Sequence, residues 1–500
     1  CLSIAAVAFA DEPVSFNVLC VRWTEVWGED FENTAFLKEI GEKTGVTINW
    51  TMVPNGSWDQ QKGTTLASGL KSLPDAFFGS ISLTDGDIVP NLDLFVDLAP
   101  YITPEIMPNL SAIFEKDPSM KALCTDAEGH IYSLPKKLPM RPATANEMYI
   151  NQKWLDQLGL PMPTTYTELA DTLVAFSSLG DDCYGYIASS NLSFDLNNLL
   201  LPFGVQGSRT WNYMGMNADN EPYFIPMADN YKEAVKWAHD LYERGALDPE
   251  HFTQGADTVR AKIQNTEAGP KTGIIFGWTA DSELLGNAVD YVVVPAIAGP
   301  DGNRYVESDP TYLNYGKNEL VVTQNCKNVA KLLQWADEFY TDEASLQTYY
   351  GSIGDGKIAR HDDGTYEVLL PAADSGINLD TSCWTYSFRD HGPKYMSEEF
   401  EAKVILPATE GDGVKLADDA VNREFVRDTY PVVNYTADEL DTIAFLAADV
   451  NNYCRTQYAH WVTDGGIDEE WDAYIVQLER MNVDQLIQVY MDAYARYIGE

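Results

Sequence analysis

The spacing of apolar and polar positions predicts alternating strands and helices near the N-terminus. Residues 16–23 and 46–53 have the apolar or alternating pattern of strands, and residues 33–43 between them have a helical pattern. A second helix is predicted over 58–70 and a short buried strand over 74–79. Two successive strand–helix–strand units favour a mainly parallel α/β sheet with right-handed crossovers. In such a sheet, ligands bind beyond the carboxyl ends of the strands.

The same periodicity predicts core-facing helices later in the chain. Two segments carry apolar residues at helical spacing, and these residues are Tyr231, Ala234, Val235, Ala238 and Tyr242 in the first and Val329, Leu332, Leu333, Ala336 and Phe339 in the second. Between these segments, 273–278 and 291–294 have the pattern of buried strands. Thr165 and Glu168 fit a capping box at the start of another helix. The chain after Thr436 is predicted to be almost wholly helical.

Length and charge restrict the possible classes of function. Five hundred residues suffice for roughly two to four domains and an ample core. The net charge of -43 opposes binding to phosphate backbones and anionic membrane surfaces, so we expect no nucleic acid partner and no membrane-surface binding. Hydrophobic residues make up 45% of the chain and aromatic residues 12%, which is far more buriable surface than disordered chains carry. The chain should therefore fold.

The first ten residues have the pattern of an export signal. They are apolar and end in Ala8-Phe9-Ala10, like the hydrophobic region and cleavage site of a secretory signal. We interpret 1–10 as a remnant of a signal peptide and expect an exported, soluble protein that is extracellular or associated with the cell envelope. The alternative is that Cys1 is a lipidated first residue, although an apolar run follows it where a polar tether is usual. Lipid anchoring stays open.

The chain lacks the common motifs of metal and nucleotide sites. Its six histidines form no HExxH or i, i+4 pair and its seven cysteines form no CxxC pair, so we predict no metal and no other cofactor. Residues 351–358 match GxxxxGK of a phosphate-binding loop, but the following Ser or Thr is missing and a predicted helix precedes the loop instead of a strand. We interpret this segment as a glycine-rich turn that ends a helix.

Aromatic residues in predicted loops are the most informative sign of a binding site. Sugar rings present apolar C–H faces that stack on Trp and Tyr, while Asp, Asn and Arg side chains hydrogen-bond the hydroxyls. The tryptophans in predicted loops are Trp23, Trp27, Trp58, Trp211, Trp278 and Trp384. Core packing is the alternative for each, because tryptophan is highly buried on average. Trp335, Trp461 and Trp471 lie in predicted helices and are assigned to packing.

Several sequence phrases occur in a characteristic order along nearly the whole chain. They are ASGLKSLPDA (67–76), EGHIYSLP (128–135), YINQKWLDQLGL (149–160) followed by PTT (163–165), LYERGALDP (241–249), NCKN (325–328), WDAY (471–474) and YARY (494–497). The ordered set resembles the extracellular solute-binding proteins of bacterial ABC importers, specifically the family 1, oligosaccharide-type and Paenibacillus-lipoprotein-like group.

The resemblance implies an α/β, two-lobe periplasmic-binding-protein-like fold of type II, with crossing hinge strands and a helical C-terminal region. It also implies a ligand held in a cleft between the lobes, with closure that presents the protein to a membrane permease. We expect lobe 1 to comprise 11–145 plus about 312–365. Lobe 2 would comprise 146–311 plus about 366–500, including the helical C-terminal extension. Relatives often carry an acidic loop that in some binds calcium, but this chain has only Gly180-Asp181-Asp182-Cys183, so we predict no calcium site.

The main hypothesis is a non-enzymatic, exported, monomeric substrate-binding subunit of an ABC importer that captures a carbohydrate, in particular an oligosaccharide, and delivers it to permease subunits. Two alternatives stay open. One is a secreted glycan-cleaving enzyme that uses a carboxylate pair, and the other is a ligand-sensing partner of a membrane receptor. The identity of the ligand also stays open, since peptides or other polar solutes fit as well. The candidate ligand-binding residues are Trp23, Asn55, Trp58 and Ser80 from the first lobe, Arg141 near the first crossing, Trp211, Trp278 and Asp281 from the second lobe, and Trp384 and Arg389 from the loop-rich stretch after residue 370.

Overall fold

The structure is a computed structural model. Two of the candidate ligand-binding residues lie outside the part of the chain that it describes. The described residues are 14–22, 33–126, 128–144, 146–189, 196–206, 212–308, 315–372, 374–375, 377, 382–409 and 411–499. Trp23 and Trp211, together with the export signal predicted over 1–10, fall outside them.

The described strands are short, apart from two near the N-terminus and one in the middle of the chain. In chain order they are β1 (Val14–Arg22), β2 (Val46–Pro54), β3 (Ala76–Phe78), β4 (Leu134–Lys137), β5 (Glu147–Asn151), β6 (Tyr184–Tyr186), β7 (Met214–Met216), β8 (Pro222–Phe224), β9 (Thr272–Gly277), β10 (Tyr291–Val293), β11 (Val306–Glu307), β12 (Tyr315–Val322), β13 (Ile358–Arg360), β14 (Tyr366–Val368), β15 (Val404–Ile405) and β16 (Val426–Arg427).

The described α-helices are longest at the C-terminus. In chain order they are α1 (Ala35–Thr44), α2 (Asn55–Ala67), α3 (Asp85–Ile88), α4 (Pro108–Lys116), α5 (Pro118–Cys124), α6 (Gln152–Leu158), α7 (Tyr166–Phe176), α8 (Asp229–Glu243), α9 (Ala256–Ile263), α10 (Ala280–Leu284), α11 (Val329–Asp337), α12 (Asp342–Tyr350), α13 (Ser382–Tyr386), α14 (Glu398–Glu401), α15 (Gly411–Asn422), α16 (Ala437–Asp464), α17 (Ile467–Arg480) and α18 (Val483–Ile498). None of these helices has the length and apolar composition needed to cross a bilayer.

Contacts within the chain divide it into two compact units. Unit 1 comprises 1–140 and 312–407, and unit 2 comprises 141–311 and 408–500. The third of these boundaries, at 407, lies beyond the position near 365 that the sequence predicts. Residues 366–407 pack with unit 1 because β14 and β15 pair with β13 in one small sheet. That these two units are the two ligand-binding lobes stays a prediction.

Unit 1 is built on a five-stranded mixed sheet in the order β2-β1-β3-β12-β4. Strand β1 runs parallel to both β2 and β3, while β12 is antiparallel to β3 and β4. The two predicted strand–helix–strand units are therefore confirmed. The carboxyl ends of β1, β2 and β3 lie at one edge of the sheet, because the register pairs Arg22 with Pro54 and Cys20 with Phe78.

An aromatic cluster fills the core on one face of this sheet. Phe78 contacts Trp50, Phe339 and Phe388, with ring centroids 5.3, 5.8 and 4.8 Å away. Trp335 is 1% exposed and joins the same cluster, which confirms its assignment to packing. Burial of several large rings at one point supplies much of the hydrophobic stabilisation of this unit.

The glycine-rich segment after α12 is a turn that caps another helix. Gly351 ends α12 with a φ of 108°, as expected for a turn that closes a helix. The Asp355 carboxylate accepts a hydrogen bond from Ala35 N at 2.8 Å, and the Ser352 hydroxyl accepts one from Phe36 N at 3.2 Å. These bonds satisfy free amides in the first turn of α1. The GxxxxGK-like motif thus has a structural role, in agreement with the interpretation preferred from the sequence.

Unit 2 combines a four-stranded sheet, in the order β10-β5-β9-β6, with the C-terminal helices. Strand β5 is antiparallel to β9 and β10, and β6 is parallel to β9. The helical tail is confirmed, since α16, α17 and α18 contribute many side chains to the core of this unit. Trp461 is 1% exposed and contacts both Trp471 and Tyr474, so both tail tryptophans pack as predicted.

One helix boundary and one helix cap differ from the sequence prediction. Helix α2 begins at Asn55, three residues before the predicted start, because the chain turns directly out of β2. The capping residue of α7 is Thr165, whose hydroxyl accepts a hydrogen bond from Glu168 N at 3.2 Å. The Glu168 carboxylate accepts from Thr164 N instead of from Thr165 N, so half of the predicted capping box is displaced by one residue.

Candidate functional site

Asn55 and Ser80 follow parallel strands at one edge of the unit 1 sheet. Asn55 comes directly after β2, and its side-chain oxygen accepts a hydrogen bond from Gly56 N at 2.9 Å in the first turn of α2. Ser80 lies two residues after β3 and is half-buried. Because β2 and β3 flank β1 in parallel, the topology places both residues at the edge where α/β sheets bind ligands.

Trp58 is a core residue of unit 1. It is 2% exposed, its ring lies 5.8 Å from that of Phe77, and its Nε1 donates a hydrogen bond to Ser82 O at 2.6 Å. A ring with both faces in the core offers no surface for a sugar. The alternative weighed from the sequence, core packing, therefore describes this tryptophan, and we leave Trp58 out of the site proposed below.

A buried charged network holds the turn that carries Ser80. The Glu319 carboxylate accepts hydrogen bonds from Ser80 N at 3.2 Å and from Gly392 N at 2.7 Å. Its other oxygen lies 2.6 Å from Lys136 Nζ, and both side chains of this ion pair are almost completely buried. Burial lowers the pKa of the neighbouring Lys394 to about 7, although the Glu319 carboxylate opposes this shift. The network fixes two chain segments that are far apart in sequence.

Trp384 and Arg389 lie together in unit 1, next to this network. Trp384 is half-buried in the short helix α13, and its ring lies 6.4 Å from that of His391. The Arg389 guanidinium lies 5.9 Å from the Trp384 ring and 3.9 Å from the Tyr349 ring, and this arginine is 6% exposed. Arg389 therefore supports the aromatic residues from within the unit, whereas Trp384 is partly accessible.

In unit 2, the structure brings Arg141, Trp278 and Asp281 to one place. Trp278 follows β9 directly and is half-buried. The Arg141 guanidinium lies 4.4 Å from the centre of its ring. Thr279 then caps α10, with its hydroxyl accepting a hydrogen bond from Ser282 N at 3.1 Å. This cap places Asp281 in the first turn of a helix immediately after the tryptophan.

Lys415 supports Trp278 from within unit 2, and no sequence pattern predicts this contact. Its Nζ lies 5.1 Å from the centre of the Trp278 ring, 3.5 Å from a carboxylate oxygen of Glu147 and 3.2 Å from the Thr144 hydroxyl. The side chains of Lys415 and Glu147 are 0% and 1% exposed. A buried ammonium next to an indole ring makes a strong cation–π contact, because water does not compete for the charge.

The Glu147 carboxylate is fully engaged at the start of β5. One oxygen accepts a hydrogen bond from the Thr144 hydroxyl, and the other accepts one from Asn422 Nδ2 at 2.7 Å. Asn422 also bonds the backbone on both sides of Pro295, through Val294 O and Ala296 N. Charged groups are rarely buried without partners, and this set of partners makes a rigid base for the tryptophan.

We call the Trp278 ring, together with the Arg141 guanidinium next to it, the Trp278 platform. Two carboxylates and a tyrosine lie beside this platform. Tyr149 OH donates a hydrogen bond to Asp418 Oδ2 at 2.8 Å and lies 3.2 Å from Trp278 O. Burial raises the pKa of Tyr149 well above its usual range, and the charges of Asp418 and Asp281 raise it further. Burial likewise raises the pKa of Asp418, while the hydrogen bond from Tyr149 opposes the shift. The tyrosine therefore stays protonated and serves as a hydrogen-bond donor.

The arrangement in unit 2 suits recognition of a polyhydroxyl ligand. It offers an aromatic surface, a guanidinium donor and half-buried carboxylate acceptors, which are the groups that bind sugar hydroxyls and C–H faces. Across the described ranges, no group of three or more His, Cys, Asp or Glu side chains is placed to hold a metal ion. Sequence reasoning found the tryptophan, the arginine and Asp281, but not the residues that hold them. The one available sign was a charged residue, Glu147, at the head of an apolar strand.

Comparison with known proteins identifies the family. The sequence model described as "Bacterial extracellular solute-binding protein" matches residues 25–345 of this chain, which is more than half of its length. The fructooligosaccharide ABC transporter substrate-binding protein FusA of Streptococcus pneumoniae is 28% identical over 94% of this chain and 88% of its own. The polygalacturonan/rhamnogalacturonan-binding protein YtcQ of Bacillus subtilis is 26% identical over 54% of this chain and 53% of its own.

Solved structures show the same fold over nearly the whole chain. An extracellular solute-binding protein from Bifidobacterium longum subsp. infantis has a TM-score of 0.82 at 24% identity, covering 98% of this chain and 99% of that one. FusA of S. pneumoniae in complex with kestose has a TM-score of 0.79 at 25% identity, covering 97% of this chain and 99% of that one. These matches confirm the predicted type II periplasmic-binding-protein-like fold class. The chain therefore belongs to the family of bacterial extracellular solute-binding proteins.

Proposed function

We propose that this chain is the substrate-binding subunit of an ABC importer, which captures an oligosaccharide outside the cell and delivers it to membrane permease subunits. The observation that carries the proposal is the Trp278 platform, an aromatic surface with a guanidinium at 4.4 Å and carboxylates beside it, in a chain of a solute-binding family. The resemblance to FusA along most of both chains supports an oligosaccharide as the ligand. We propose binding without chemical conversion of the sugar.

The proposed contacts come from residues that the structure leaves partly accessible. In unit 2, Trp278 would stack on a sugar ring while Arg141 and Asp281 bond its hydroxyls. In unit 1, Asn55, Ser80 and Trp384 would provide further contacts at the edge of the sheet. We also propose that Trp23 and Trp211 contact the ligand, although both lie outside the described ranges.

The experiment that tests the proposal is native mass spectrometry combined with calorimetry. The protein would be incubated with fructooligosaccharides such as kestose and nystose, with galacturonate oligomers and with peptides of similar mass. We expect one intact oligosaccharide per chain and no shortened product. Release of shorter sugars would support the glycan-cleaving alternative, and binding of peptides alone would refute the carbohydrate assignment.

A matched pair of tryptophan variants tests the site. Trp278→Leu removes the aromatic surface, and we expect it to lower oligosaccharide affinity by about tenfold or more, which corresponds to about 1.4 kcal/mol. Trp154→Leu is the control, because Trp154 is also half-buried in unit 2 but packs against Phe176 with ring centroids 5.4 Å apart. Equal affinities of the two variants would contradict the site. Co-purification with permease subunits from membranes of the native host tests delivery.

A further inference from the structure

A second pair of aromatic and cationic side chains lies on a small ribbon in unit 2. Strands β11 and β16 pair in parallel, with Glu307 opposite Arg427. The Arg427 guanidinium lies 3.8 Å from the centre of the Tyr305 ring, just before β11. Next to this pair, the Arg304 guanidinium lies 5.4 Å from the Phe425 ring. Tyr305 and Phe425 are both half-buried, so the ribbon presents aromatic surface to solvent.

The Tyr305 ring is held in a defined orientation. Its hydroxyl donates a hydrogen bond to Asp301 Oδ2 at 2.6 Å, and this bond helps to lower the pKa of Asp301 against the effect of burial. The backbone of Gly204 passes close to one edge of the ring, since a Cβ there would lie 3.5 Å from Tyr305 Cε2. A ring fixed by a guanidinium, a carboxylate and a neighbouring backbone loses little entropy when a ligand stacks on it.

This pair is connected to the Trp278 platform through side-chain and backbone hydrogen bonds. The Thr144 hydroxyl accepts a hydrogen bond from Lys415 Nζ, which lies close to the Trp278 ring. The Thr144 backbone also pairs with that of Ser308 in an isolated β-bridge. Ser308 N in turn donates to Arg427 O at 3.0 Å. In addition, Tyr305 lines the same cavity of about 30 Å³ as Glu147. The two aromatic surfaces are therefore linked within unit 2.

We propose that Tyr305, with Arg427, forms a second sugar-binding platform in unit 2, which contacts a sugar further along an oligosaccharide than the one stacked on Trp278. The ring would pack against the C–H face of this sugar, while Arg427 and Asp301 would bond its hydroxyls. This inference rests on the proposed function and makes it more specific. It assigns to Tyr305 the selection of longer oligosaccharides over shorter ones.

The test compares ligands of increasing length on Tyr305 variants. Tyr305→Leu removes the ring, Tyr305→Phe keeps the ring but loses the bond to Asp301, and Arg427→Gln keeps the ring but loses the cation. Tyr497→Leu is the control, since Tyr497 is a 52% exposed tyrosine of unit 2 on α18. Calorimetry would measure affinity for a series of one oligosaccharide type from two sugar units upwards, with circular dichroism to confirm folding.

For Tyr305→Leu, we expect about a tenfold loss of affinity for the longer oligosaccharides and less than a twofold loss for the shortest ligand that the wild-type protein binds. Tyr305→Phe should bind nearly as well as the wild type. Equal affinities of Tyr305→Leu and wild type at every length would overturn the second platform and leave the proposed function intact. A wild-type protein that binds no oligosaccharide would refute the proposed function and the second platform with it.

Discussion

The buried pair of Lys415 and Glu147 offers a stringent test of how unit 2 supports its tryptophan. The two side chains are almost completely buried and lie 3.5 Å apart, and the ammonium also lies 5.1 Å from the Trp278 ring. Lys415→Met keeps most of the volume but leaves the Glu147 carboxylate without its cation. Removal of one partner from a buried ion pair costs about 3–5 kcal/mol, and the lost cation–π contact adds to that cost.

The expected result of Lys415→Met is a loss of about 4 kcal/mol in the free energy of unfolding of unit 2. For a unit of this size, such a loss lowers the melting temperature by about 10 °C, which differential scanning calorimetry measures directly. Glu147→Gln should also destabilise the unit, because it removes the buried carboxylate that lies 3.5 Å from the ammonium.

The double variant Lys415→Met with Glu147→Gln separates the ion pair from simple packing. Both charges are then gone, so its loss of stability should be about 2 kcal/mol or more below the sum of the single losses. The reasoning is refuted if Lys415→Met lowers the melting temperature by less than about 2 °C. Additivity of the two single variants within about 0.5 kcal/mol would also refute it, since residues in direct contact should couple.

Three further predictions concern stability. Burial lowers the pKa of His251 from 6.5 to about 4, so the folded protein binds fewer protons than the unfolded chain, and stability present above pH 6.5 is lost as the pH falls towards 4. The expected loss is about 2 kcal/mol by pH 5, and His251→Gln should show a smaller difference between melting temperatures at pH 7.5 and pH 5. Trp58→Phe leaves Ser82 O without its hydrogen-bond donor in the core. It should lower the free energy of unfolding by about 1–3 kcal/mol, measured with denaturant, and leave oligosaccharide affinity unchanged. A large loss of affinity would instead place Trp58 in the binding site. Gly392→Ala should lower the free energy of unfolding by about 3 kcal/mol in the same assay. The reason is that Gly392 has a φ of 87° and a Cβ there would lie 2.2 Å from Phe78 Cζ. A variant with unchanged stability would contradict this packing.

The candidate site shows how far sequence reasoning reaches. Trp278 and Asp281 were predicted because Trp and Asp suit sugar recognition and lie at the end of a segment with the pattern of a buried strand, where the structure has β9. Trp58 met a similar criterion and proved to be a core residue, because α2 begins earlier than predicted and directs this side chain towards Phe77. A local pattern does not specify which face of a helix meets the core when the helix has few apolar residues.

The alternation of strands and helices, the helical C-terminal region and the family were predictable from the sequence, because they depend on local periodicity and on phrases that are contiguous in the chain. The surroundings of each candidate side chain became known only from the folded chain. Lys415 and Trp278 are 137 positions apart and Arg427 and Tyr305 are 122 apart, yet each pair forms a close contact. Contacts of this kind come from the packing of distant segments, and the intervening sequence carries no periodic sign of them. The energy of a buried charge depends on such contacts, and so the support of the site became visible only in the folded chain.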